Sequence, residues 1–244
     1  MTSRLRMYGE LAPLYDAQYH WKDYRGEVRR LEEIVHRYGR SRGVSWLDVA
    51  CGTGRHLELL RPRHDCVGVD ASPQMLKVAR SRLPGVPLVR GDMRTFRLGR
   101  QFDVVSCLFS AIGQLTTEAA VRRALANFAR HLKPGGVMIV EPWIDPARAK
   151  AGHIHLTTYE DTKTTLVRLA FSAVRGQCTV IRYCYLVGRT GKGIQYLEET
   201  DRGVMVPPAR LQEIVRAEGL TPRFLSRGFT SDRGLLLGFK PARS

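Results

Sequence analysis

The sequence predicts an α/β fold, a doubly wound and mostly parallel sheet of seven strands with an antiparallel β meander inserted late in the chain. Three observations carry this expectation. Strand-like and helix-like apolar patterns alternate from Glu27 to Val140, a glycine-rich turn follows the first strand, and the segments after Pro142 become β-branched and aromatic. Strands alternating with helices require a parallel sheet covered on both faces, with ligands at the carboxyl ends of the strands.

The elements follow in order. Glu27 to Tyr38 sets Val28, Leu31, Ile34 and Val35 at helical spacing, with charges opposite. Val44 to Val49 reads as the first strand and runs into Ala50-Cys51-Gly52-Thr53-Gly54; Leu57, Leu59 and Leu60 predict a helix, and Cys66 to Val69 a buried strand ending in Asp70. Ser72-Pro73 starts the next helix, through Met75, Leu76 and Ala79 to Leu83, because the hydroxyl can cap and proline fits the first helical position. Val86 to Val89 and Phe102 to Phe109 are the third and fourth strands. Thr116 or Thr117 caps a helix carrying Ala120, Val121, Leu125, Phe128 and Leu132. Lys133-Pro134-Gly135-Gly136 ends it, and Val137 to Val140 is the fifth strand.

Thr164–Val174, Thr179–Val187 and Ile194–Thr200 then read as meander strands, separated by glycine-containing turns at 175–177 and 188–193. This insert reads as too short and strand-poor to stand as an independent domain. Pro208 to Gly219 is a helix, and Pro222–Ser226 with Gly234–Phe239 a closing strand pair. The chain thus divides into a helical cap (1–42), a ligand-binding α/β domain (43–145), the β insert (146–206) and a closing helix and strand pair (207–244).

Composition removes several classes. Hydrophobic residues make up 43% of the 244 residues and charged residues 25%, a globular balance that excludes wholesale disorder. No apolar run approaches the roughly 18–20 residues of a membrane helix, and the first six residues do not open a secretory signal. The net charge of +16 invites a nucleic-acid partner, but it comes from 32 Arg and 7 Lys dispersed along the chain rather than gathered in a patch. The five cysteines (Cys51, Cys66, Cys107, Cys178 and Cys184) lie within or beside apolar runs without a CxxC pair, so they read as free thiols in a reducing cytoplasm. His56 and His64 read as surface residues. No His, Asp and Glu set has metal-ligand spacing, so no metal is expected.

The chemistry concentrates in Leu47-Asp48-Val49-Ala50-Cys51-Gly52-Thr53-Gly54. Glycines after a first strand permit positive φ and let a ligand approach the backbone. A phosphate P-loop would continue with Lys-Ser or Lys-Thr, but this turn continues Arg55-His56; a nicotinamide loop needs a third glycine where Leu57 stands. D-x-A-C-G-T-G instead resembles the first motif of the class I S-adenosylmethionine-dependent methyltransferases, a Rossmann-like family. Asp70 ends the second strand, where a carboxylate can accept both ribose hydroxyls, and Gly91-Asp92-Met93 follows the third, where the family places an adenine contact. Each has a plainer reading: Asp48 as a loop-bonding residue, Asp70 as a strand-end carboxylate, Asp92 as a turn residue.

The likeness extends further, through Leu14-Tyr15-Asp16, Tyr19, Lys22-Asp23-Tyr24, Phe109-Ser110-Ala111-Ile112-Gly113, Pro134-Gly135-Gly136, Glu141-Pro142-Trp143 and, weakly, Asp232-Arg233-Gly234-Leu235. This series resembles the N,N-dimethyltransferases of nucleotide-linked 3-amino-deoxysugars in macrolide antibiotic pathways. The resemblance implies S-adenosyl-L-methionine as cofactor and S-adenosyl-L-homocysteine as product. It implies cofactor contacts at Tyr15, Tyr24, Asp48, Ala50, Gly52, Gly54, Asp70, Ala71, Met75, Asp92, Met93, Cys107 and Phe109. It places Tyr15, Glu141 and Gln114 at the reacting groups, and Trp143, His153 and Arg233 at the acceptor sugar, with Arg233 near a diphosphate. Tyr15 and Tyr24 also suit ordinary half-buried packing. Family members carry an aromatic residue or His where Gln114 stands, so no general base is expected there, and residues 153–208 match poorly.

The reaction implied is an in-line displacement by an amine nitrogen, in which alignment and a dry pocket suffice. A hydroxyl acceptor would need a base, with Glu141, His153 and His155 as candidates. Another small-metabolite acceptor, a nucleic-acid methyltransferase and a non-catalytic cofactor binder are the rival readings. A base methyltransferase would carry an Asn/Asp-Pro-Pro-aromatic clamp where Leu108-Phe109-Ser110-Ala111 stands. The edges of the insert strands would need covering, which favours a homodimer.

Overall fold

The computed structural model describes residues 6–39, 45–229 and 233–242. A short helix α1 (Tyr15–Gln18) and the helix α2 (Tyr24–Tyr38) precede the sheet. Then follow β1 (Ser45–Val49), α3 (Arg55–Leu60), β2 (Asp65–Asp70), α4 (Pro73–Arg82), β3 (Leu88–Arg90), β4 (Phe102–Cys107), α5 (Glu118–Arg130) and β5 (Leu132–Val140). The insert supplies β6 (Ile154–Glu160), β7 (Thr164–Arg175), β8 (Cys178–Arg189) and β9 (Gly193–Val204), and the chain closes with α6 (Pro208–Ala217), β10 (Thr221–Leu225) and β11 (Leu235–Phe239).

The main sheet has seven strands in the order β10-β11-β5-β4-β1-β2-β3. Its first five strands in sequence are parallel, and β11 runs antiparallel to both β5 and β10. Every residue of β1 is buried, as a central parallel strand covered on both faces requires. Trp46 and Leu47 alternate into the two cores: Trp46 packs with Leu31, Leu57 and Leu76, and Leu47 with Val105, Phe128 and Leu236. Ser72 caps α4 as expected, accepting from Met75 N at 3.2 Å, and Thr117 caps α5. Val44, the expected start of the first strand, lies outside the described residues.

Two elements differ from the sequence expectation. The helix expected at Glu27 begins at Tyr24, because the Asp23 carboxylate caps it by accepting from Gly26 N at 2.8 Å. Lys133-Pro134-Gly135-Gly136 does not end a helix. α5 stops at Arg130, and these residues are the irregular first part of β5, where the register jumps from Phe102↔Leu132 to Val104↔Val137.

The insert folds into its own four-stranded antiparallel sheet, β6-β7-β8-β9. It is richer in strand than its sequence pattern indicated. β7 and β8 pair from Thr164↔Arg189 to Arg175↔Cys178 across the two-residue turn Gly176-Gln177. Strand alternation splits the sheet's faces. Leu166, Tyr185, Val187 and Leu197 pack against Met7 and Leu11 of the cap. The opposite face leaves Ile154, Leu156, Leu169, Phe171, Leu186, Ile194 and Tyr196 exposed. Among the described residues no helix is long and apolar enough to cross a membrane.

Candidate active site

The site forms where the sheet order reverses, between β1 and β4, at the carboxyl ends of the strands. β1 runs into the turn 50–54, in which Ala50, Gly52 and Gly54 have φ of 58°, 56° and 81°. Glycine adopts this conformation without steric cost, and a Cβ at Gly54 would also meet Leu83 Cδ1 at 2.5 Å. Asp70 holds the turn from the neighbouring strand: Oδ2 accepts from Gly52 N at 2.9 Å and Oδ1 from Ser72 N at 2.7 Å. Burial pushes the Asp70 carboxyl up, opposed by the backbone bonds of Ser72, Gly52 and Ala71. Asp48 is 2% exposed. Burial pushes its carboxyl up to about 6, opposed by His56 and by the Ser106 hydroxyl, which donates to Oδ1 at 2.8 Å.

A cavity of about 380 Å³ opens beside the turn. Ala50 and Gly52 line it from the turn, and Asp70, Ala71, Ser72 and Met75 from the segment that follows β2. Gly91 and Met93 come from the end of β3, Leu108, Phe109, Ala111 and Gln114 from the segment after β4, and Tyr8 and Tyr15 from the cap. A narrower pocket shares Tyr15, Ala50, Gly52, Leu108 and Phe109 with it and adds Tyr24, Asp48, Thr53, Arg55 and His56. Burial, then the neighbouring Tyr8, pushes the Tyr15 phenol well above its ordinary value. Tyr15 therefore stays protonated at neutral pH and acts as a hydrogen-bonding group rather than a base.

These linked spaces bring together Tyr15, Tyr24, Asp48, Ala50, Gly52, Asp70, Ala71, Met75, Met93, Phe109 and Gln114 from the predicted set. The other candidates lie apart. Gly54 starts α3. The Asp92 carboxylate turns onto Arg94, accepting from its backbone N at 2.8 Å and its Nε at 2.9 Å. Cys107 is fully buried in the core, and Leu108, the next residue along the chain, faces the cavity instead. His153 is exposed beside His155, with ring centroids 6.4 Å apart.

Glu141, Trp143 and Arg233 form a cluster beneath the segment that follows β4. Phe109 and Ser110 both have positive φ, 52° and 55°, a strained pairing for residues other than glycine. Glu141 Oε2 accepts from Phe109 N at 2.6 Å, and Ser110 Oγ donates to Pro142 O at 2.7 Å, which holds that turn. Arg233 Nη1 donates to Ser110 Oγ at 3.0 Å and lies 3.8 Å from Glu141 Oε1, with its guanidinium over the Trp143 ring. Asp232, its neighbour in the sequence motif, lies outside the described residues. His56, expected at the surface, is buried and bonds Glu27 Oε2 at 2.7 Å. The sequence reading also missed Tyr8 and the polar groups Arg82 and Asp201 that support the site, and it quoted Asp16 within its motif without giving it a role. The aromatic-rich start was the one signal for Tyr8, and no motif marks Arg82 or Asp201.

This donor set fits an adenosine carrying an amino-acid tail. Each Asp70 oxygen keeps a lone pair for a ribose hydroxyl, Met75 and Met93 offer apolar surface to a flat ring, and ionised Asp48 suits an ammonium group. Comparison with known proteins agrees. Residues 47–136 match a methyltransferase domain family. The chain is 40% identical to the dTDP-3-amino-3,6-dideoxy-alpha-D-glucopyranose N,N-dimethyltransferase of Streptomyces fradiae, over 96% of this chain and 92% of that one. It is 37% identical to the corresponding 3,4,6-trideoxy-sugar enzyme of Streptomyces venezuelae, over 93% and 96%. The crystal structure of Streptomyces venezuelae DesVI superposes with a TM-score of 0.88 at 36% identity, covering 95% of this chain and 98% of that one. CalS10, an amino pentose methyltransferase of Micromonospora echinaspora solved with S-adenosylmethionine bound, gives 0.83 at 34% identity, covering 93% and 96%. With its glycine turn, strand-end carboxylate and cap placed as described, the chain belongs to the S-adenosylmethionine-dependent sugar N-methyltransferases.

Proposed function

We propose that the enzyme methylates the amino group of a nucleotide-linked amino deoxysugar, and that it adds two methyl groups in turn. The 40% identity to a dTDP-amino-sugar N,N-dimethyltransferase across 96% of the chain carries this reading. The chemistry of the cavity supports it. When bound, the cofactor supplies a methyl group on a sulfonium centre, whose S–C electron pair returns to sulfur as a nitrogen lone pair takes the carbon. Asp70, the 50–54 turn, Met75 and Met93 hold the nucleoside, while Asp48 and Tyr24 face its amino-acid end. Tyr15, Phe109 and Leu108 exclude water from the space where nitrogen meets the methyl group. Gln114 and a protonated Tyr15 orient the acceptor without taking a proton, which suits an unprotonated amine and disfavours a hydroxyl; the ammonium formed by the first transfer gives its proton to solvent before the second.

The test is methylation of a dTDP-3-amino-3,6-dideoxyglucose followed by mass spectrometry. Two successive methyl additions are expected, and absence of both would overturn the reading. Calorimetry with S-adenosylhomocysteine on wild type and Asp70→Ala tests the cofactor assignment separately, with strong loss expected in the variant.

We infer in addition that a second copy of the chain covers the apolar outer face of the insert sheet. Ile154, Phe171, Leu156 and Leu169 are neighbours on that face in the β6–β7 register. Phe171 is 47% exposed and Ile194 80%, and a two-fold contact would bury such a face against itself. The thiols of Cys51, Cys66 and Cys107, buried and unpaired, support a reducing cytoplasmic setting.

A further inference from the structure

The insert bonds a cavity-lining side chain at the end of β9. The last residues of β9 pack on the turn Ala111–Gln114: Val204 N donates to Leu115 O at 3.1 Å, and a Cβ at Gly203 would meet Gly113 O at 2.7 Å. This close seating leaves little freedom between the two segments. Across it, Gln114 Nε2 donates to Asp201 Oδ2 at 2.8 Å, with the Tyr8 hydroxyl 3.5 Å away.

Burial pushes the Asp201 carboxyl up, opposed by the Gln114 bond and by the Arg202 backbone N–H; in its ionised form it accepts only, and its partner is then the NH₂ end of the carboxamide. The polarity of the Gln114 amide is thereby fixed. Gln114 lines the cavity, and its Oε1 makes no hydrogen bond to a described residue and is not among the occluded unpartnered atoms. It is the polar end of the amide that Asp201 leaves free to accept.

We propose that Asp201 is the positioning residue of the acceptor pocket: by holding Gln114 Nε2, it presents Gln114 Oε1 to an N–H of the acceptor amine. This rests on the reading of the acceptor as an amine. An amine that accepts a methyl group becomes positively charged, so its N–H bonds to oxygen strengthen toward the transition state. An oxygen fixed beforehand, with a carboxylate behind it, is complementary to that charge. Reversed, the amide would set two donors against the amine. The placement also gives the insert, whose sequence matches the family poorly, a direct hand in acceptor recognition.

A charge-swap series tests this. In Asp201→Asn the new amide can donate to Gln114 Oε1 and let Gln114 turn its NH₂ to the cavity. Acceptor affinity in the S-adenosylhomocysteine complex, and kcat/KM for the amino sugar, are expected to fall about tenfold or more. S-adenosylhomocysteine affinity should stay within about twofold, which also verifies folding. Adding Gln114→Glu restores an oxygen facing the amine, because the amide introduced at position 201 then donates to the new carboxylate, so the double variant should regain most of the loss. Gln114→Ala should lose acceptor affinity with Asp201 intact. An unimpaired Gln114→Ala, or an impaired Asp201→Asn that Gln114→Glu does not rescue, would overturn the proposal while leaving the amine reading standing. A wild-type protein that neither binds nor methylates the amino sugar would remove both.

Discussion

Thr53 of the glycine turn donates its hydroxyl to Asp16 of the cap at 2.7 Å. Arg82, at the end of α4, closes the triangle: it pairs with the other Asp16 oxygen and donates to Thr53 O at 2.5 Å. Asp16 follows Tyr15 in the chain, so this bond ties a tyrosine that lines the cavity to the glycine turn beside it. Asp16→Ala frees the cap at that point. S-adenosylhomocysteine is expected to bind roughly 1–2 kcal/mol more weakly, the worth of a part-buried charged hydrogen bond. Stopped-flow dissociation should show the change mainly as a faster off-rate, and an unchanged off-rate would show that the cap closes without this latch.

A second tie lies deeper. Glu27 of α2 is 8% exposed and bonds both Lys22 and His56. Burial raises its carboxyl, but the His56 bond and charge, and then those of Lys22, outweigh burial and hold Glu27 below its ordinary value of 4.5. The stability from a lowered carboxyl is complete above that ordinary value and fades as pH falls through the native one. Acid below about pH 4.5 should therefore loosen the cap's grip on α3. His56→Ala removes one of the two partners of the buried Glu27 carboxylate and leaves Lys22 on it, at a cost of roughly 1–3 kcal/mol. Thermal unfolding at pH 7 measures it; a Tm within a degree or so of wild type would show the pair contributes little.

How far the site was legible in the sequence depended on chain distance. The positive-φ turn at 50–54, the strand end at Asp70 and the Ser72 cap follow from patterns within a few positions of chain, and the structure has each of these elements where the sequence placed it. His56 looked like a helix-surface residue because its partner, Glu27, is 29 positions away. Cys107 was expected in the site from the family resemblance, but it is buried in the core and Leu108 lines the cavity at the strand's end. Gln114 was noticed as a departure, but its meaning depends on Asp201, 87 residues on and in another sheet. Lys133–Gly136 carried a strong breaker pattern that the structure uses as an irregular strand start.

With Asp48 proposed at the amino-acid end of the cofactor, binding is expected to depend on pH. Its carboxyl is raised from 3.8 to about 6 by burial, so the native protein holds a proton that the unfolded chain releases. The sign follows: this group favours the ligand-free fold below pH 3.8, and that contribution is lost as pH rises toward 6. The cost of the buried charge at pH 8 is on the order of 1–3 kcal/mol, and Asp48→Asn should raise the ligand-free Tm there. Binding reverses the preference, because an ammonium-bearing ligand favours the ionised form. S-adenosylhomocysteine affinity should fall below about pH 6 in wild type and stay flat across that range in Asp48→Asn. Calorimetry in buffers of different ionisation enthalpy should detect proton release on binding near pH 6.

The outer face of the insert sheet yields the last prediction. Leu169 sits between Leu156 and Cys184 across the strands, and Phe171 between Ile154 and Arg182. These side chains point away from the cap and the cavity, so charging them does not touch the cofactor residues. In a two-fold contact each substituted residue is buried twice, and an unpaired buried carboxylate costs several kcal/mol. Leu169→Glu with Phe171→Glu should therefore elute as a monomer where wild type elutes as a dimer, while S-adenosylhomocysteine affinity is unchanged. A wild type that is monomeric at micromolar concentration would remove the second copy from this face. The apolar strip would then have to be covered by a different partner.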